Sequence, residues 1–369
     1  MMHQYQQGTY TKQAHKAIPE GCFEEEQGLK GFFGPASHLI KKEPSTRWQK
    51  IEGPLKPRMF DLVPAFANPV DQRILFNRDL SIGVKTVLPQ SENSKNAFRN
   101  ADGDQLYFCH QGSGVFLTEY GLLNYRAGHY IVVPKCLTHS IVPEEPSQFL
   151  TVENRTSHYQ EPDRGLVGRH AIYDTAALEK PDLDQMQAYL KSLGDGPIRI
   201  HVKRLDQITK FEYDKSIYDT VGWKGDLFPF TLHTDDMMPL MSHRAHLPPS
   251  AHTTFVAKEF VICTFLPRPL ESDEDALKVP FYHQNIDYDE VLFYHRGDFF
   301  SRDNLHAGMM SLHPAGFPHG PHPKAVKSIK GKTQTNEYAV MIDSRWPLEV
   351  DESAGGLELS EYWKSWQSK

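Results

Sequence analysis

The chain lacks the features that would take a protein into a membrane or onto nucleic acid. No apolar stretch approaches the roughly 18 residues that a membrane-spanning helix requires. The first residues, MMHQYQQGTYTKQAHK, have no apolar core of the kind found in signal peptides. There is no run of basic residues, and the net charge of −7 offers no attraction for phosphate groups. We therefore predict a protein with no membrane partner and no nucleic-acid partner.

Cysteine is scarce as well. The four cysteines, Cys22, Cys109, Cys136 and Cys263, are scattered, and no two of them have C-x-x-C spacing. This excludes a zinc knuckle and argues against a disulfide framework. We expect reduced thiols and a cytoplasmic location.

Helical periodicity is confined to two segments, 182–194 and the C-terminal 357–369. Most of the remaining chain consists of short β-rich runs, such as GVFLTEY and HYIVV, punctuated by many of the 25 glycines and 26 prolines. Similar runs occupy both halves of the chain. We predict a mainly β protein with two related barrels in tandem and a few short helices. Residues 1–60 are polar and irregular, and we interpret them as an arm or a few edge strands.

Histidine, in contrast, is concentrated near the C-terminus, where residues 283–322 contain six of the 19 histidines. Two series of residues in this region have the spacings of the cupin signatures G-x5-H-x-H-x3,4-E-x6-G and G-x5-P-x-G-x2-H. The second signature matches at every fixed position, whereas the first lacks its leading glycine and has asparagine for its second histidine. The matching residues are His283, Asn285, Glu290 and Gly297, followed by Gly308, Pro314, Gly316 and His319. The spacing predicts cupin barrels, which are double-stranded β-helices of the jelly-roll type.

The asparagine substitution leaves two histidines and one carboxylate as candidate metal ligands, namely His283, Glu290 and His319. Such a set on one face of iron(II) leaves three positions open for substrate and oxygen. Neighbouring strand residues point to opposite faces, so only one of Asp289 and Glu290 can be a ligand. The spacing to Gly297 favours Glu290. The same set can hold zinc, nickel or manganese, so a metal-dependent cupin isomerase is an open alternative.

The segments FYHQNIDYDEVLFYHRGDFF and SLHPAGFPHGPHP resemble the iron-site segments of the homogentisate 1,2-dioxygenase family. VGWKGDLFPF (221–230) and AHLPPSAHTTFV (245–256) resemble two further stretches of that family, in the same order. The match is specific over residues 220–325 and looser in the N-terminal half. The resemblance implies a bicupin, with an arm and a degenerate barrel in residues 1–195. Residues 196–369 would then form the barrel with the metal site.

The resemblance also implies an activity, the ring opening of homogentisate to maleylacetoacetate in tyrosine and phenylalanine catabolism. Fe(II) would be the cofactor, and a small aromatic substrate and dioxygen the partners. By position, His283, Glu290 and His319 match the iron ligands, and His246 matches the catalytic base. His313 matches a histidine of the site. Tyr282, Phe299 and His322 are further expected substrate-binding residues.

Several departures from the family pattern put the substrate in question. Phe299 stands where the familiar enzymes have an aromatic hydroxyl, and Ala245 and Pro248 replace two aspartates. Gentisate and hydroxyanthranilate are therefore alternative substrates, and Arg296 and Arg302 are candidate partners for a substrate carboxylate. A non-catalytic cupin would be expected to have a degraded ligand set, which this sequence does not show. Because edge strands of such barrels commonly associate, we also expect a homo-oligomer.

Overall fold

The computed structural model describes residues 6–163, 172–193, 196–299, 304–321 and 331–367. Within these segments the strands are β1 (Phe23–Gly28), β2 (Ala36–Lys41), β3 (Arg58–Asp61), β4 (Val70–Phe76), β5 (Leu80–Val87), β6 (Asn96–Asn100), β7 (Asp104–Gln111), β8 (Ser113–Thr118), β9 (Gly121–Arg126), β10 (His129–Val133), β11 (Thr138–Pro143), β12 (Ser147–Asn154), β13 (Ile198–Arg204), β14 (Gln207–Tyr213), β15 (Phe230–His233), β16 (Thr253–Val256), β17 (Phe260–Phe265), β18 (Tyr282–Asn285), β19 (Asp289–Asp298), β20 (Met309–His313), β21 (Asn336–Ser344) and β22 (Glu349–Val350).

Two α-helices accompany these strands in the described segments, α1 (Val63–Phe66) and α2 (Leu183–Leu193). The second confirms the helix predicted for residues 182–194. Its Met186 is buried against Ile198 and Ile200. The C-terminal segment forms only a 3-10 turn, Tyr362–Trp366, in place of the expected α-helix. Neither α-helix has the length and apolar character that crossing a bilayer requires.

The N-terminal barrel is made of two sheets. One has seven strands in the order β15-β10-β7-β12-β5-β4-β22, and the other has six in the order β14-β13-β6-β11-β8-β9. Side chains between them form an apolar interior that includes Tyr107, Cys109, Phe116 and Phe149. Their alternation along β7 follows the two-residue period of a strand with one face inside a barrel.

The C-terminal barrel is completed by the start of the chain. Its larger sheet has the order β16-β17-β21-β19-β20-β3, and its smaller sheet has the order β18-β1-β2. Strand β1 runs parallel to β18 and puts Glu26 opposite His283. Residues before 60 therefore form part of the wall around the C-terminal histidines. The mainly β, double-barrel prediction is confirmed by this architecture.

The strand pairing does not follow the predicted boundary between residues 195 and 196. Strands β1 to β3 pair with the C-terminal barrel, whereas β13, β14, β15 and β22 pair with the N-terminal barrel. The division into two domains at that point stays a prediction. Each of the four sheets has at least one edge strand from the other half of the chain.

A continuous apolar core joins the two barrels. Along β7, Leu106 and Phe108 point away from the barrel interior, since they alternate with Tyr107 and Cys109. They pack in one cluster with Phe293 and other residues of the larger C-terminal sheet. The position of the C-terminal sheet is thus determined by apolar packing against the N-terminal barrel.

Gly297, the last residue of the first signature, lies at an irregularity in β19. The register of β19 against β21 shifts between Tyr294 and Arg296. Gly297 has φ +107°, and a Cβ there would lie 2.0 Å from the Asn336 carbonyl oxygen. Only glycine fits this backbone conformation and this close approach, which explains the spacing requirement in the sequence.

Replacing Phe108 with alanine should lower the free energy of unfolding by about 3–5 kcal/mol, because a buried aromatic is replaced by a cavity. The ring centroid lies 4.8 Å from that of Tyr130 and 6.4 Å from that of Phe293 across the barrel interface. Urea unfolding followed by fluorescence measures the change. Leu205→Ala, at a side chain 80% exposed, is the control and should shift the value by less than about 0.5 kcal/mol. A loss below about 1 kcal/mol for Phe108→Ala would contradict a shared core.

Candidate metal centre

Three elements of the C-terminal barrel bring His283, Glu290 and His319 together. His283 lies on β18, Glu290 is the second residue of β19, and His319 follows β20. His283 and His319 exchange two backbone hydrogen bonds, from each N–H to the other's carbonyl oxygen, at 2.8 and 2.9 Å. This pairing holds the two imidazole centroids 4.1 Å apart.

The donor atoms of these residues are spaced as ligands of one ion would be. Nε2 of His283 lies 3.6 Å from Oε2 of Glu290, and Nε2 of His319 lies 3.5 Å from Oε1. One donor atom from each residue fits within a mutual distance of 4.8 Å. Ligands at about 2.1 Å from a metal would lie roughly 3.0–3.5 Å from one another, so little movement would be needed.

Both imidazoles are oriented by backbone carbonyls. Nδ1 of His283 lies 3.1 Å from the Phe281 carbonyl oxygen, and Nδ1 of His319 lies 3.1 Å from that of Phe317. A carbonyl only accepts, so each Nδ1 carries a proton, and in the neutral imidazole each Nε2 would direct its lone pair toward Glu290. This tautomer is the one that a metal ligand requires. The residues therefore fit a divalent metal.

Glu290 and Asp289 point to opposite faces of β19, as strand alternation requires. Asp289 accepts backbone hydrogen bonds from Ala315 and Leu348, both at 2.8 Å, on the side away from the histidines. The Glu290 carboxylate alone faces His283 and His319.

Two further buried groups, His313 and Asp343, lie beside Glu290. Burial by itself would raise the pKa of this carboxyl, but the neighbouring imidazoles outweigh burial and hold the pKa well below its ordinary value. Nδ1 of His313 lies 3.0 Å from Oε1 and donates to the ionised carboxylate. Asp343, opposite Glu290 on β21, is buried beside this negative charge. Both burial and Glu290 raise the pKa of Asp343 well above its ordinary value.

A cavity of about 110 Å³ opens beside His283 and Glu290. It is lined by residues from both ends of the chain, including His246, Arg268 and Phe281 from the C-terminal half. Glu26 and Phe32 come from the N-terminal arm. Such a space suits one small molecule rather than a polymer.

His246 enters this cavity from the segment before β16. Its Nδ1 lies 3.3 Å from Oε1 of Glu271, whose pKa is lowered by hydrogen bonds despite the opposing effect of burial. The ionised carboxylate can only accept, so Nδ1 carries the proton and Nε2 remains a proton acceptor. Burial lowers the pKa of His246 below its ordinary value of 6.5, and Glu271 partly reverses this effect.

Arg268 supplies a buried positive charge to the same cavity. Its side chain donates to the Leu266 carbonyl at 3.3 Å and lies over the Phe265 ring, 5.4 Å from the centroid. Within the described segments it makes no ion pair with a carboxylate. By contrast, Arg296 is half exposed, pairs with Asp235 at 3.7 Å and does not line the cavity. Arg302 lies outside the described residues.

The structure does not bring every predicted site residue to the cavity. Tyr282 is adjacent to His283 on β18 and so faces the other way, with its ring 6.0 Å from that of Phe23. Phe299 packs in an apolar cluster with Met59, Tyr294 and Met309. His313 touches Glu290 and is fully buried behind it. His322 lies outside the described residues.

Sequence reasoning missed Arg268, Glu271, Glu26 and Phe32. Nothing local distinguishes Arg268 from other arginines, since its burial results from the packing of distant strands. The strand FEEEQG does have a two-residue alternation, but no pattern in the sequence links Glu26 with a residue 257 positions later.

A second group of metal-binding side chains lies on the arm, formed by His15, Glu24 and His38 with Glu26 beside them. Burial alone would lower the pKa of His15, but Glu24 and Glu26 raise it to about 9. Burial would raise the pKa of Glu24, but His15 and His38 lower it to about 2. Neither of the two groups detected in the described residues belongs to the N-terminal barrel.

Comparison with known proteins gives two family matches. The model for the N-terminal part of homogentisate 1,2-dioxygenase matches residues 23–234, and the model for the C-terminal part matches residues 241–369. A Saccharolobus solfataricus protein provisionally named a dioxygenase is 28% identical, over 99% of both chains.

Two relatives named homogentisate 1,2-dioxygenase are more distant. The protein of Dictyostelium discoideum is 28% identical over 78% of this chain, and that of Nitrobacter hamburgensis is 25% identical over 73%. The matches cover 68% and 62% of the lengths of these relatives.

Solved cupin structures align only loosely. A Bacillus subtilis oxalate decarboxylase variant has 14% identity and a TM-score of 0.36, with 83% of this chain and 81% of that one covered. A cupin barrel protein of Leptotrichia buccalis has 8% identity and a TM-score of 0.33, with 80% and 99% covered. These likenesses are too weak to add to the strand order described above.

The two family matches together span nearly the whole described fold, including the histidine cluster and the cavity. The chain belongs to the homogentisate 1,2-dioxygenase family of ring-cleaving dioxygenases.

Proposed function

We propose that this protein is an Fe(II)-dependent dioxygenase that opens the ring of a hydroquinone-type aromatic acid, with homogentisate as substrate and maleylacetoacetate as product. Such a reaction would give it a role in tyrosine and phenylalanine catabolism. The observation that carries the proposal is a cavity beside the His283–Glu290–His319 group, lined by His283 and Glu290 together with the imidazole of His246 and the buried Arg268.

Each of these residues has a distinct part in the proposal. His283, Glu290 and His319 would hold the metal through two Nε2 atoms and the carboxylate, and His313 would keep Glu290 ionised and oriented. Fe(II) bound there would supply a Lewis acid for a ring hydroxyl and the redox chemistry that dioxygen requires. His246 would accept the proton of a substrate hydroxyl at Nε2, while Glu271 fixes its tautomer.

Arg268 would bind the substrate carboxylate. A buried guanidinium that makes no ion pair with a carboxylate of the described residues favours an anionic ligand, and its planar fork matches a carboxylate in two parallel hydrogen bonds. Phe281 and Phe265 give the cavity apolar walls suited to an aromatic ring. This assignment replaces Arg296, which faces solvent and Asp235.

Two other expectations stay predictions, the cytoplasmic location and the homo-oligomer. The edge strand β14 is exposed along its whole length and presents Ile208, Phe211 and Tyr213, which makes it the edge we would expect to pair with a second copy.

Oxygen uptake by anaerobically purified, Fe(II)-loaded protein tests the reaction. With homogentisate we expect one dioxygen consumed per substrate, and His319→Ala should lose bound iron and at least about 100-fold in rate, since even outer-shell partners of a metal are worth 10–100-fold. His306→Ala, at a half-exposed histidine beside Asp61, is the matched control and should retain both. Oxygen uptake with gentisate but not with homogentisate would show that the proposed substrate is wrong. No uptake with either compound would contradict the proposed class of reaction.

Arg268→Met should reduce kcat/KM for homogentisate roughly 100-fold, because a buried charge pair with the substrate carboxylate is lost. The rate with an unsubstituted hydroquinone, which has no carboxylate, should change far less. Arg296→Met is the control, and both substrates should react with it as with the wild type. An equal loss for both substrates in Arg268→Met would mean that the arginine supports the cavity and does not bind the carboxylate.

The pH dependence of kcat/KM should report His246. A base must be unprotonated, so activity should fall as the pH drops through its pKa, which lies below the ordinary 6.5 because of burial. Glu271→Gln removes the charge that raises this pKa, so the acid limb should move to lower pH while the rate at pH 7 falls. Asp61→Asn, a carboxylate change beside exposed His306, should leave the profile in place. An unmoved acid limb in Glu271→Gln would remove His246 from the role of base.

A further inference from the structure

The second histidine–glutamate cluster is built where the arm meets the C-terminal barrel. Glu24 and Glu26 lie two residues apart on β1 and face the same side. His38 on β2 is opposite Glu26 in the antiparallel register. His15 approaches from the preceding loop, with its ring centroid 5.1 Å from that of His38.

The imidazoles of His15 and His38 both direct Nδ1 toward the carboxylate of Glu24. Nδ1 of His15 lies 3.0 Å from Oε2 of Glu24, and Nδ1 of His38 lies 3.2 Å from Oε1. Both Nδ1 atoms are buried, and neither makes a hydrogen bond of acceptable geometry within the described residues. The two Nδ1 atoms and the Glu24 carboxylate oxygens are therefore close together without good hydrogen-bond geometry. This arrangement is the one expected of ligands that surround a single metal ion.

Glu26 contacts the other nitrogen of the His15 ring. Nε2 of His15 lies 3.1 Å from Oε2 of Glu26, and this contact does have hydrogen-bond geometry. If Nε2 carries the proton that Glu26 accepts, then Nδ1 holds a lone pair directed toward Glu24. A carboxylate that orients a metal-binding histidine in this way is a common feature of metal sites.

The charge of the cluster also calls for a cation. The carboxylates of Glu24 and Glu26 are largely buried, and among the described residues neither pairs with a lysine or arginine. The nearby Lys41 is paired with Glu25 on the other face of β1, at 2.5 Å. Without a metal, the negative charge of the two carboxylates can be balanced only if the adjacent imidazoles are protonated. A divalent ion would balance both while the imidazoles stay neutral.

We propose that His15, Glu24 and His38 bind a second divalent metal ion of the zinc class, with Glu26 orienting His15. Two imidazoles and a carboxylate are a usual zinc ligand set, and the donor atoms fit within a mutual distance of 4.8 Å. The site is independent of the catalytic proposal, because it shares no ligand with the first centre.

The role of this metal would be to stabilise the packing of the N-terminal arm against the strand that forms one wall of the cavity. Strand β1 pairs with β18, which carries His283. The His15 ring packs on Phe281 with centroids 4.2 Å apart, and Phe281 lines the cavity. The ion would therefore stabilise the segment that contributes Glu26 and Phe32 to the substrate space.

Counting zinc on the full-length protein tests the proposal. The protein is stripped with a chelator, reloaded with Zn(II) without oxygen and gel-filtered, and its metal content is measured by mass spectrometry. We expect two zinc ions per wild-type chain, one in Glu24→Gln, one in His38→Gln, one in His319→Ala and none in the double variant Glu24→Gln/His319→Ala. His158→Gln is the matched control and should bind two, since His158 is an exposed histidine 2.9 Å from the Asp104 carboxylate.

Thermal melting of His319→Ala with and without Zn(II) gives a second measurement. Zinc should raise its Tm through the arm site, and this rise should vanish in the double variant. Should Glu24→Gln fail to fold, His38→Gln decides, because His38 is partly exposed and its loss leaves the buried carboxylates with His15. A wild-type chain with one zinc, together with His319→Ala with none and no Tm rise, would overturn the proposal. That result would leave the first centre and its activity untouched.

Discussion

The buried carboxylate of Glu290 is the constraint on which the C-terminal barrel depends. An ionised carboxylate removed from water is strongly unfavourable unless other groups compensate its charge. Here three imidazoles approach it from β18, from β20 and from the segment after β20. Burial and the same charge together raise the pKa of the neighbouring Asp343 carboxyl. An arrangement of this kind fits a divalent cation, which would add the positive charge that the imidazoles only partly supply.

Because side chains alternate along a strand, neighbouring residues of β18 and β19 face two different environments. On β19 it sends Glu290 toward the histidines and Asp289 toward backbone amides of the neighbouring segments. On β18 it turns His283 to the cavity and Tyr282 to Phe23. His313, which matches a histidine of the family's site, lies 3.0 Å from Glu290 and supports this carboxylate. Adjacent residues that look equally suited to the site in the sequence therefore differ in role, because a shift of one position moves a side chain to the other face of the strand.

The arm gives the C-terminal barrel more than an additional sheet. Because β1 lies parallel to β18, charged residues of the first 40 positions stand next to the candidate iron site. Glu26 lines the cavity and also contacts His15, so it connects the two histidine clusters. The apolar core between the barrels holds the opposite face of the larger sheet. The cavity is thus enclosed by parts of the chain that are remote from one another in sequence.

The sequence by itself determined the cupin architecture, the candidate ligands His283, Glu290 and His319, and the helix near residue 190. These depend on local rules, namely two-residue alternation, glycine at positions such as Gly297 and fixed spacing around a turn. Only the tertiary structure decided that Arg268 is buried beside the ligands, that Phe299 is a core residue, and that the arm closes the cavity. Burial and long-range strand pairing depend on contacts between residues that are far apart in the sequence, and no local pattern specifies them.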